Sequence, residues 1–365
     1  MKHHNTLGKL FLAVILIGVL ALCYFVVFAV PAEATDYSDE LLKSTLFSML
    51  ENGETERTLV LTKRAELENN QIEGAINDEY NQSGRFAYLT SMVTHTLVEH
   101  VSYRELVLEL HYVEDRPAFC DIPEVKTKQE AIGRLIDAIE NNKTELVMWT
   151  SEDDLKEDNL FNVADVAELN ALSVCISDTI DFGIFPEDGS DKVIIIGYNS
   201  EIDGEKREKL MNEVDESLEQ RVEEIKAKNI VDEKELYRAI HDVVVENMSY
   251  DYALGDASRD DTLTLDQKIQ KTVYGALIEG ETVCTGYAYT FKELCDRLGV
   301  PCWVVSGDVG EDGHVWNAVA YNGVTYYIDC TFDDTGGSSY TYFMFSEDDW
   351  QFAEYSISNA DMIPW

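Results

Sequence analysis

Two runs of alternating apolar and polar residues, joined by an Asn-Gly dipeptide, constrain the fold of this chain more than any other feature. The runs are HVWNAVAY at residues 314–321 and VTYYIDC at residues 324–330. Alternation with period two is typical of half-buried strands. Asn322-Gly323 between them favours a two-residue turn of type I′, so the sequence predicts an antiparallel hairpin.

The turn also predicts the register of this hairpin. If Tyr321 faces Val324, then Asp329 lies across from Trp316 and diagonal to His314, on the same face of the sheet. A slip of one residue would send Asp329 to the opposite face. We therefore expect the carboxylate of Asp329 to reach the imidazole of His314.

A helix with a cysteine at its first position is predicted upstream of the hairpin. Its apolar stripe follows a 4-3-4-3 spacing and comprises Cys284, Ala288, Phe291, Cys295 and Leu298. Gly299 marks the predicted end of the helix. The unpaired amide groups at a helix start favour negative charge, so a thiolate or an oxyanion is stabilised there.

Thiol, imidazole and carboxylate thus follow one another in the order Cys284, His314 and Asp329, with separations of 30 and 15 residues. Taken singly, a cysteine on an apolar helix face is usually inert core, which is the reading we prefer for Cys295. Single histidines in strands are usually packed or solvated, and an aspartate that ends a strand is usually a turn former. Their order, the turn register and the helix position together favour a catalytic triad.

These residues and their neighbours resemble the transglutaminase-like superfamily, in particular its bacterial secreted branch. The resemblance covers roughly residues 231 to 350. Its motifs are Tyr274-Gly-Ala-Leu, Cys284-x-Gly-Tyr-Ala, Leu298-Gly-Val-Pro and His314-x-Trp-Asn. It implies an α+β fold with a papain/transglutaminase-like core, in which a helix that carries the cysteine packs on an antiparallel sheet.

The resemblance also implies acyl transfer by a thiol, with Cys284, His314 and Asp329 as catalytic residues. Two aromatic residues are predicted near the substrate: Trp316, which would shield the ion pair from water, and Tyr274, a candidate for the second oxyanion donor beside the N–H of Cys284. Peptide N-glycanases and arylamine N-acetyltransferases share this triad geometry, so the triad defines the chemistry better than the substrate. We expect no cofactor and no metal site.

The organisation of the chain is predicted in three parts. Residues 10–30 carry no charge and follow Lys2 and Lys9, so residues 1–34 form either a cleaved signal peptide or an N-terminal transmembrane anchor. Residues 35–228 form an α+β N-terminal domain of unknown role, and residues 229–365 form the transglutaminase-like catalytic domain. The mature protein is therefore expected to be extracytoplasmic, either membrane-anchored or secreted.

Within the N-terminal part the sequence predicts mainly helices. The exceptions are strands at residues 106–113 and at Val193-Ile-Ile-Ile, whereas residues 142–186 look acidic and poor in strands. A capping box at Asp232-x-x-Glu235 starts the first helix of the catalytic domain. The aromatic run YTYFMFSEDDW, which begins at Tyr340, is read as the last core strand and its exit.

Charge and cysteine usage restrict the partners. A formal charge of −42, from 28 basic and 70 acidic residues, excludes the basic face that nucleic acid binding needs. The expected partner is a protein or peptide substrate, cell-wall peptide included, and the oligomeric state is left open. Disulfides between Cys302 and Cys330, or between Cys120 and Cys175, are compatible with a non-cytosolic location.

Three functions remain open at this point. The first is an extracytoplasmic enzyme that hydrolyses or transfers acyl groups from Gln side chains or peptide bonds. The second is a catalytically silent module of the same fold that binds cell-surface proteins or wall polymers. The third is a cysteine peptidase of broader specificity.

Alkylation separates the enzyme from the silent module. A Cys284 thiolate at a helix start reacts with iodoacetamide much faster near neutral pH than Cys295 on the buried stripe of the same helix. Mass spectrometry of peptides after timed labelling gives both rates. Equal and slow labelling of the two cysteines contradicts the enzymatic reading.

Overall fold

The computed structural model describes residues 14–22, 29–155, 157–171, 177–186, 189–202, 204–259, 263–336 and 340–365. The chain divides into two compact units. The first comprises residues up to 124 together with 148–151 and 184–194, and the second comprises 125–147, 152–183 and 195–365. The predicted boundary near Asn229 lies inside the second unit, and the three-part division of the sequence stays a prediction.

Residues 10–13 and 23–28 of the uncharged run at 10–30 lie outside the described residues, which include 14–22, 29 and 30 of it. Within the described part of the chain no helix has both the length and the apolar composition needed to cross a membrane. The signal peptide and the anchor therefore both stay predictions.

The first unit is built on a three-stranded antiparallel sheet in the order β1-β3-β2. Its strands are β1 (Glu56–Thr62), β2 (Thr90–Glu99) and β3 (Tyr103–Tyr112), and its helices are α1 (Asp39–Asn52), α2 (Asn69–Gln82) and α3 (Gly84–Leu89). The predicted strand at 106–113 corresponds to β3. The sequence missed β1 and β2 because neither shows strict alternation of buried and exposed positions.

A second three-stranded sheet has the order β4-β6-β5. Its strands are β4 (Glu145–Thr150), β5 (Ser177–Phe185) and β6 (Lys192–Ser200), and the helices of this region are α4 (Lys128–Glu140), α5 (Glu157–Asn170) and α6 (Gly204–Lys226). The strand predicted at Val193 lies in β6. The prediction that 142–186 is poor in strands was wrong, because β4 and β5 are edge strands that form by pairing with the β-branched β6.

The site region of the second unit combines helices with a five-stranded antiparallel sheet in the order β12-β11-β10-β9-β13. The helices are α7 (Glu233–Asn247), α8 (Tyr252–Ala257), α9 (Leu265–Gln270), α10 (Cys284–Leu298) and α11 (Cys330–Thr335). The strands are β9 (Cys302–Val309), β10 (Asp312–Tyr321), β11 (Val324–Ile328), β12 (Phe343–Phe345) and β13 (Tyr355–Ile357), and the short β7 (Ser249–Tyr250) and β8 (Glu281–Thr282) pair in parallel. The α+β prediction with a papain/transglutaminase-like core is confirmed.

Helix α10 has the bounds that its sequence predicts. It begins at Cys284 and ends before Gly299, which adopts a left-handed φ of 74°. Ala288, Phe291 and Cys295 of the apolar stripe are buried. Burial of this stripe fixes the orientation of the helix about its own axis. In that orientation the first residue, Cys284, is only partly buried.

The hairpin also has the predicted register. Tyr321 pairs with Val324 and Asn317 with Ile328. Positive φ angles at Asn322 (51°) and Gly323 (75°) are those of a type I′ turn. The ladder nevertheless stops at Ile328, one residue before the predicted facing position of Asp329.

One side chain of β10 ties this strand to helix α10. The amide of Asn317 donates to the backbone carbonyl of Ala288 at 2.9 Å, and both groups are buried. A hydrogen bond of this kind stabilises by about 1 kcal/mol, and an unpaired buried amide costs more. Asn317 therefore fixes the separation between the helix that carries the thiol and the strand that carries the imidazole.

The glycine of the Cys-x-Gly motif predicts a measurable packing constraint. A Cβ atom at Gly286 would lie 2.0 Å from Oγ1 of Thr282, a buried and β-branched side chain. Gly286→Ala should therefore destabilise the protein by about 1–3 kcal/mol through overpacking. Denaturant unfolding of the purified variant measures this change.

Gly133, inside helix α4, is the matched control because a Cβ atom there meets nothing within 4 Å. Gly133→Ala should stabilise by about 0.5–1 kcal/mol, as expected for the interior of a helix. Equal effects of the two substitutions contradict the packing argument.

Candidate active site

A buried ion pair forms the centre of the site. Nε2 of His314, on β10, lies 2.7 Å from Oδ2 of Asp329, and the Asp329 side chain is fully buried. Asp329 is not the strand residue that the register argument assumed. It caps helix α11, where its Oδ1 accepts a hydrogen bond from the backbone N–H of Phe332 at 3.1 Å.

A tyrosine that the sequence did not indicate completes the hydrogen bonding of this carboxylate. The hydroxyl of Tyr355 donates to Oδ2 of Asp329 at 2.8 Å. Tyr355 opens β13, which pairs with β9 at the far edge of the sheet from β12. Burial and the neighbouring Asp329 charge raise the pKa of Tyr355, so it remains a donor. The sequence signal was weak, since Tyr355 is one of 19 tyrosines.

Aromatic rings fix the plane of the imidazole. Phe332 stacks on His314 with ring centroids 4.7 Å apart and an interplanar angle of 11°, and Trp316 stacks at 5.9 Å and 17°. Trp316 is only 1 % exposed and packs edge-on against Tyr355. Trp316 therefore lies beside the ion pair in the core of the sheet, and its predicted role in substrate binding stays a prediction.

The pKa of His314 reflects this environment. Burial acts to lower it, but the charge and hydrogen bond of Asp329, together with the Cys284 side chain, outweigh burial and raise the pKa of His314 to about 10. The ordinary pKa of histidine is 6.5. Because the raised pKa lies well above 7, the ring of His314 carries a proton at neutral pH. The site therefore holds an imidazolium between a carboxylate and a sulfur.

Cys284 lies at the N-terminus of α10, where Val283 provides no side-chain cap. The N–H of Gly286 donates to the backbone carbonyl of Val283 at 2.9 Å, and no side chain covers the amide groups before it. Amide groups at a helix start can stabilise negative charge on the sulfur or on a bound oxyanion. Cys284 is partly exposed, whereas Cys295, Cys302 and Cys330 are buried. Burial raises the pKa of Cys295 and Cys330 well above its usual range.

The cysteines of the second unit give no disulfide at the site. Cys302 and Cys330 are both free thiols, so the pairing that the sequence left open is not formed. Cys120 is also a free thiol, and Cys175, its suggested partner, lies outside the described residues.

A cavity of about 740 Å³ gives access to the sulfur and the ring. Its lining includes residues of α8 and its flanks and of the turn between β9 and β10, together with Cys284 and His314. Such a volume is within the range of ligand pockets. The structure thus brings together Cys284, His314 and Asp329.

Two tyrosines upstream of Cys284 have different positions. Tyr250, from β7, lines the cavity, and the Cys284 side chain is among the groups that, after burial, raise the pKa of Tyr250. Tyr274 is not among the described lining residues, and its hydroxyl donates to Glu213 at 3.0 Å. The role of Tyr274 in substrate binding therefore stays a prediction.

A second buried His–Asp pair supports the position of Asp329. Nε2 of His241, on α7, lies 3.0 Å from Oδ2 of Asp333, one turn after Asp329 on α11. Oδ1 of Asp333 accepts from the backbone N–H of Tyr342, whose carbonyl accepts from the N–H of Asp329. Helix α11 is therefore held from both sides by buried polar contacts.

Comparison with known proteins agrees with this geometry. Residues 219–331 match the family model of the transglutaminase-like superfamily, so this part of the chain is a transglutaminase-like domain. No curated protein matches the chain.

Two solved structures show distant similarity. One, described as a TGase, is 15 % identical with a TM-score of 0.31, and the alignment covers 51 % of this chain and 51 % of that one. The other, a candidate cysteine protease from Cytophaga hutchinsonii, is 14 % identical with a TM-score of 0.26, covering 42 % of this chain and 62 % of that one. This chain thus spans about half to two thirds of their lengths, and no activity follows from these similarities.

The raised pKa of His314 predicts the effect of removing its carboxylate. In Asp329→Asn the attraction is lost while burial remains, so the pKa of His314 should fall far below about 10. Ring ¹⁵N chemical shifts followed from pH 5 to 11 report it. Asp308→Asn, on the neighbouring strand and exposed, should leave it unchanged.

Stability should follow the same linkage. The pKa of His314 is higher in the folded protein than the ordinary value of 6.5. The stabilisation of the folded state by the protonated ring is therefore complete below about pH 6.5 and is lost as the pH rises toward 10. The wild type should lose unfolding free energy across this window, and Asp329→Asn should lose much less. Parallel pH profiles of the two proteins contradict the assignment.

Proposed function

We propose that this protein is a thiol-dependent acyl transferase or hydrolase that acts on amide bonds, in Gln side chains or in peptides. One observation carries the proposal: a buried imidazole, protonated through Asp329, and a partly exposed thiol at an uncapped helix start open into the same cavity. An inert core cysteine has none of these surroundings.

The reaction follows from the positions of the groups. The sulfur of Cys284 attacks the amide carbonyl carbon, and the resulting oxyanion accepts hydrogen bonds from the first amides of α10. Because Asp329 holds Nε2 of His314, Nδ1 is the nitrogen that exchanges the proton with the site. His314 protonates the departing amine, the C–N bond breaks, and an acyl thioester remains on Cys284.

The second half restores the enzyme. Water or an amine attacks the thioester as His314 takes its proton, and the thiolate leaves with the C–S electron pair. Asp329 orients the ring and stabilises its charged form throughout. The hydroxyl of Tyr250, inside the cavity, is the second oxyanion donor of this proposal, in place of Tyr274.

The proposed site of action is outside the cytoplasm, on cell-surface proteins or wall peptides. Support comes from the uncharged segment 10–30 and the lysines before it. The N-terminal sequence of the mature protein distinguishes a cleaved leader from an anchor, and recovery of the protein in the cytosol alone contradicts the proposal.

Activity should depend on Cys284 and, to a lesser degree, on Tyr250. Cys284→Ala should abolish both ammonia release and amine incorporation on a panel of Gln-containing and wall peptides, because the nucleophile is gone. Tyr250→Phe should lower kcat about 10- to 1,000-fold with little change in KM, as expected for loss of one oxyanion donor. Cys295→Ala is the control and should retain activity.

The outcomes also separate the alternatives. Activity that survives Cys284→Ala contradicts the mechanism. Cleavage of peptide bonds without release of ammonia from Gln identifies a peptidase. Binding of wall or surface polymers by a wild type that shows no turnover on the whole panel supports the silent module.

A further inference from the structure

The catalytic cavity is lined by both acidic and basic side chains, and not all of them form ion pairs with one another. Apart from His314, the charged side chains among its described lining residues are Asp256, Arg259, Lys271, Glu311 and Asp312. Arg259 forms an ion pair with Asp312 at 3.2 Å. The charge of this arginine is therefore already matched within the protein.

Lys271 differs from Arg259 in this respect. The residue is partly buried, and no carboxylate of the described chain forms an ion pair with it. Its neighbour Lys268 lies outside the cavity lining and pairs with Glu201. In a chain with a formal charge of −42, a partly buried lysine that lines this cavity and has no acid partner among the described residues is unusual.

The backbone holds Lys271 beside the nucleophile. The hydroxyl of Thr285, the residue after Cys284, donates to the carbonyl of Lys271 at 2.8 Å. Thr285 also lines the cavity. The flexible stem of a lysine anchored there can carry its ammonium along the wall to a ligand in front of the sulfur.

We propose that Lys271 is a specificity-determining residue that binds a carboxylate of the acyl donor, so that the preferred substrates are acidic peptides. This inference rests on the proposed function, because it names the substrate class of the same site. An acidic peptide is repelled by the overall field of this protein, and a cation inside the cavity offsets that repulsion where the amide must bind.

A pair of alkylating reagents tests the subsite without knowledge of the natural substrate. Iodoacetate and iodoacetamide both form a thioether at Cys284 and release iodide, but only iodoacetate carries a carboxylate. Their rate ratio at Cys284 therefore measures attraction of an anion, while the iodoacetamide rate alone measures the nucleophilicity of the sulfur. The ratio in the wild type already contains the contribution of His314.

Lys271→Gln should lower the iodoacetate to iodoacetamide ratio about 3- to 10-fold, and Lys271→Glu should lower it further. The iodoacetamide rate should stay close to that of the wild type. Lys234→Gln and Lys234→Glu, on an exposed lysine outside the cavity, make the same changes of net charge and should leave the ratio unchanged. An unchanged ratio in both Lys271 variants overturns the proposal, as does an equal fall in the Lys234 variants.

Peptides then identify the source of the carboxylate. A Gln peptide blocked at both ends with Glu beside the Gln presents a side-chain carboxylate, and a neutral peptide with a free C-terminus presents a terminal one. Lys271→Gln should raise KM about 10-fold for one of these peptides, with kcat unchanged, and leave KM for the blocked neutral peptide unaffected. If the wild type prefers neither carboxylate peptide over the neutral one, the proposal fails.

The two levels of inference fail separately. Turnover of amide substrates with an unchanged alkylation ratio removes the carboxylate subsite and leaves the enzyme intact. A lowered ratio in a protein that turns over no amide supports anion recognition at Lys271 and contradicts the proposed function.

Discussion

The charged pair of His314 and Asp329 is the constraint on which the rest of this site depends. Placing an ion pair in the interior costs free energy unless its polar atoms are hydrogen-bonded. Asp329 meets this requirement with three donors: the ring of His314, the hydroxyl of Tyr355 and the N–H of Phe332. These donors come from β10, β13 and α11, so the carboxylate links separate elements of the core.

The same pair also requires a defined position of the Cys284 sulfur. A protonated imidazole favours a thiolate, but only if the helix and the strand are held at a fixed separation. Asn317 provides this through its bond to the carbonyl of Ala288, and close packing of Gly286 on Thr282 fixes the start of the helix. The geometry of the site is thus produced by the packing of α10 on β10, with Cys284 at the edge of the cavity.

Local patterns predicted the elements that carry the triad because each is specified by neighbours in sequence. The apolar stripe and Gly299 define the extent of α10, and Asn322-Gly323 sets the register of the hairpin. The same method failed at β2 and β5, each of which pairs with the strand that follows it, and at β1 and β4, which pair with strands far away in the sequence. Strand formation of that kind depends on tertiary contacts rather than on local propensity.

The sequence by itself determined the order of thiol, imidazole and carboxylate, the helix start at Cys284 and the turn that sets the register of the hairpin, since periodicity and turn chemistry act over a few residues. Only the tertiary structure decided that Asp329 reaches the ring as a helix cap, that Tyr355 completes its hydrogen bonds, and that Lys271 shares a cavity with Cys284. Those relations join residues far apart in the chain, and they exist only because burial of the shared core brings their elements together.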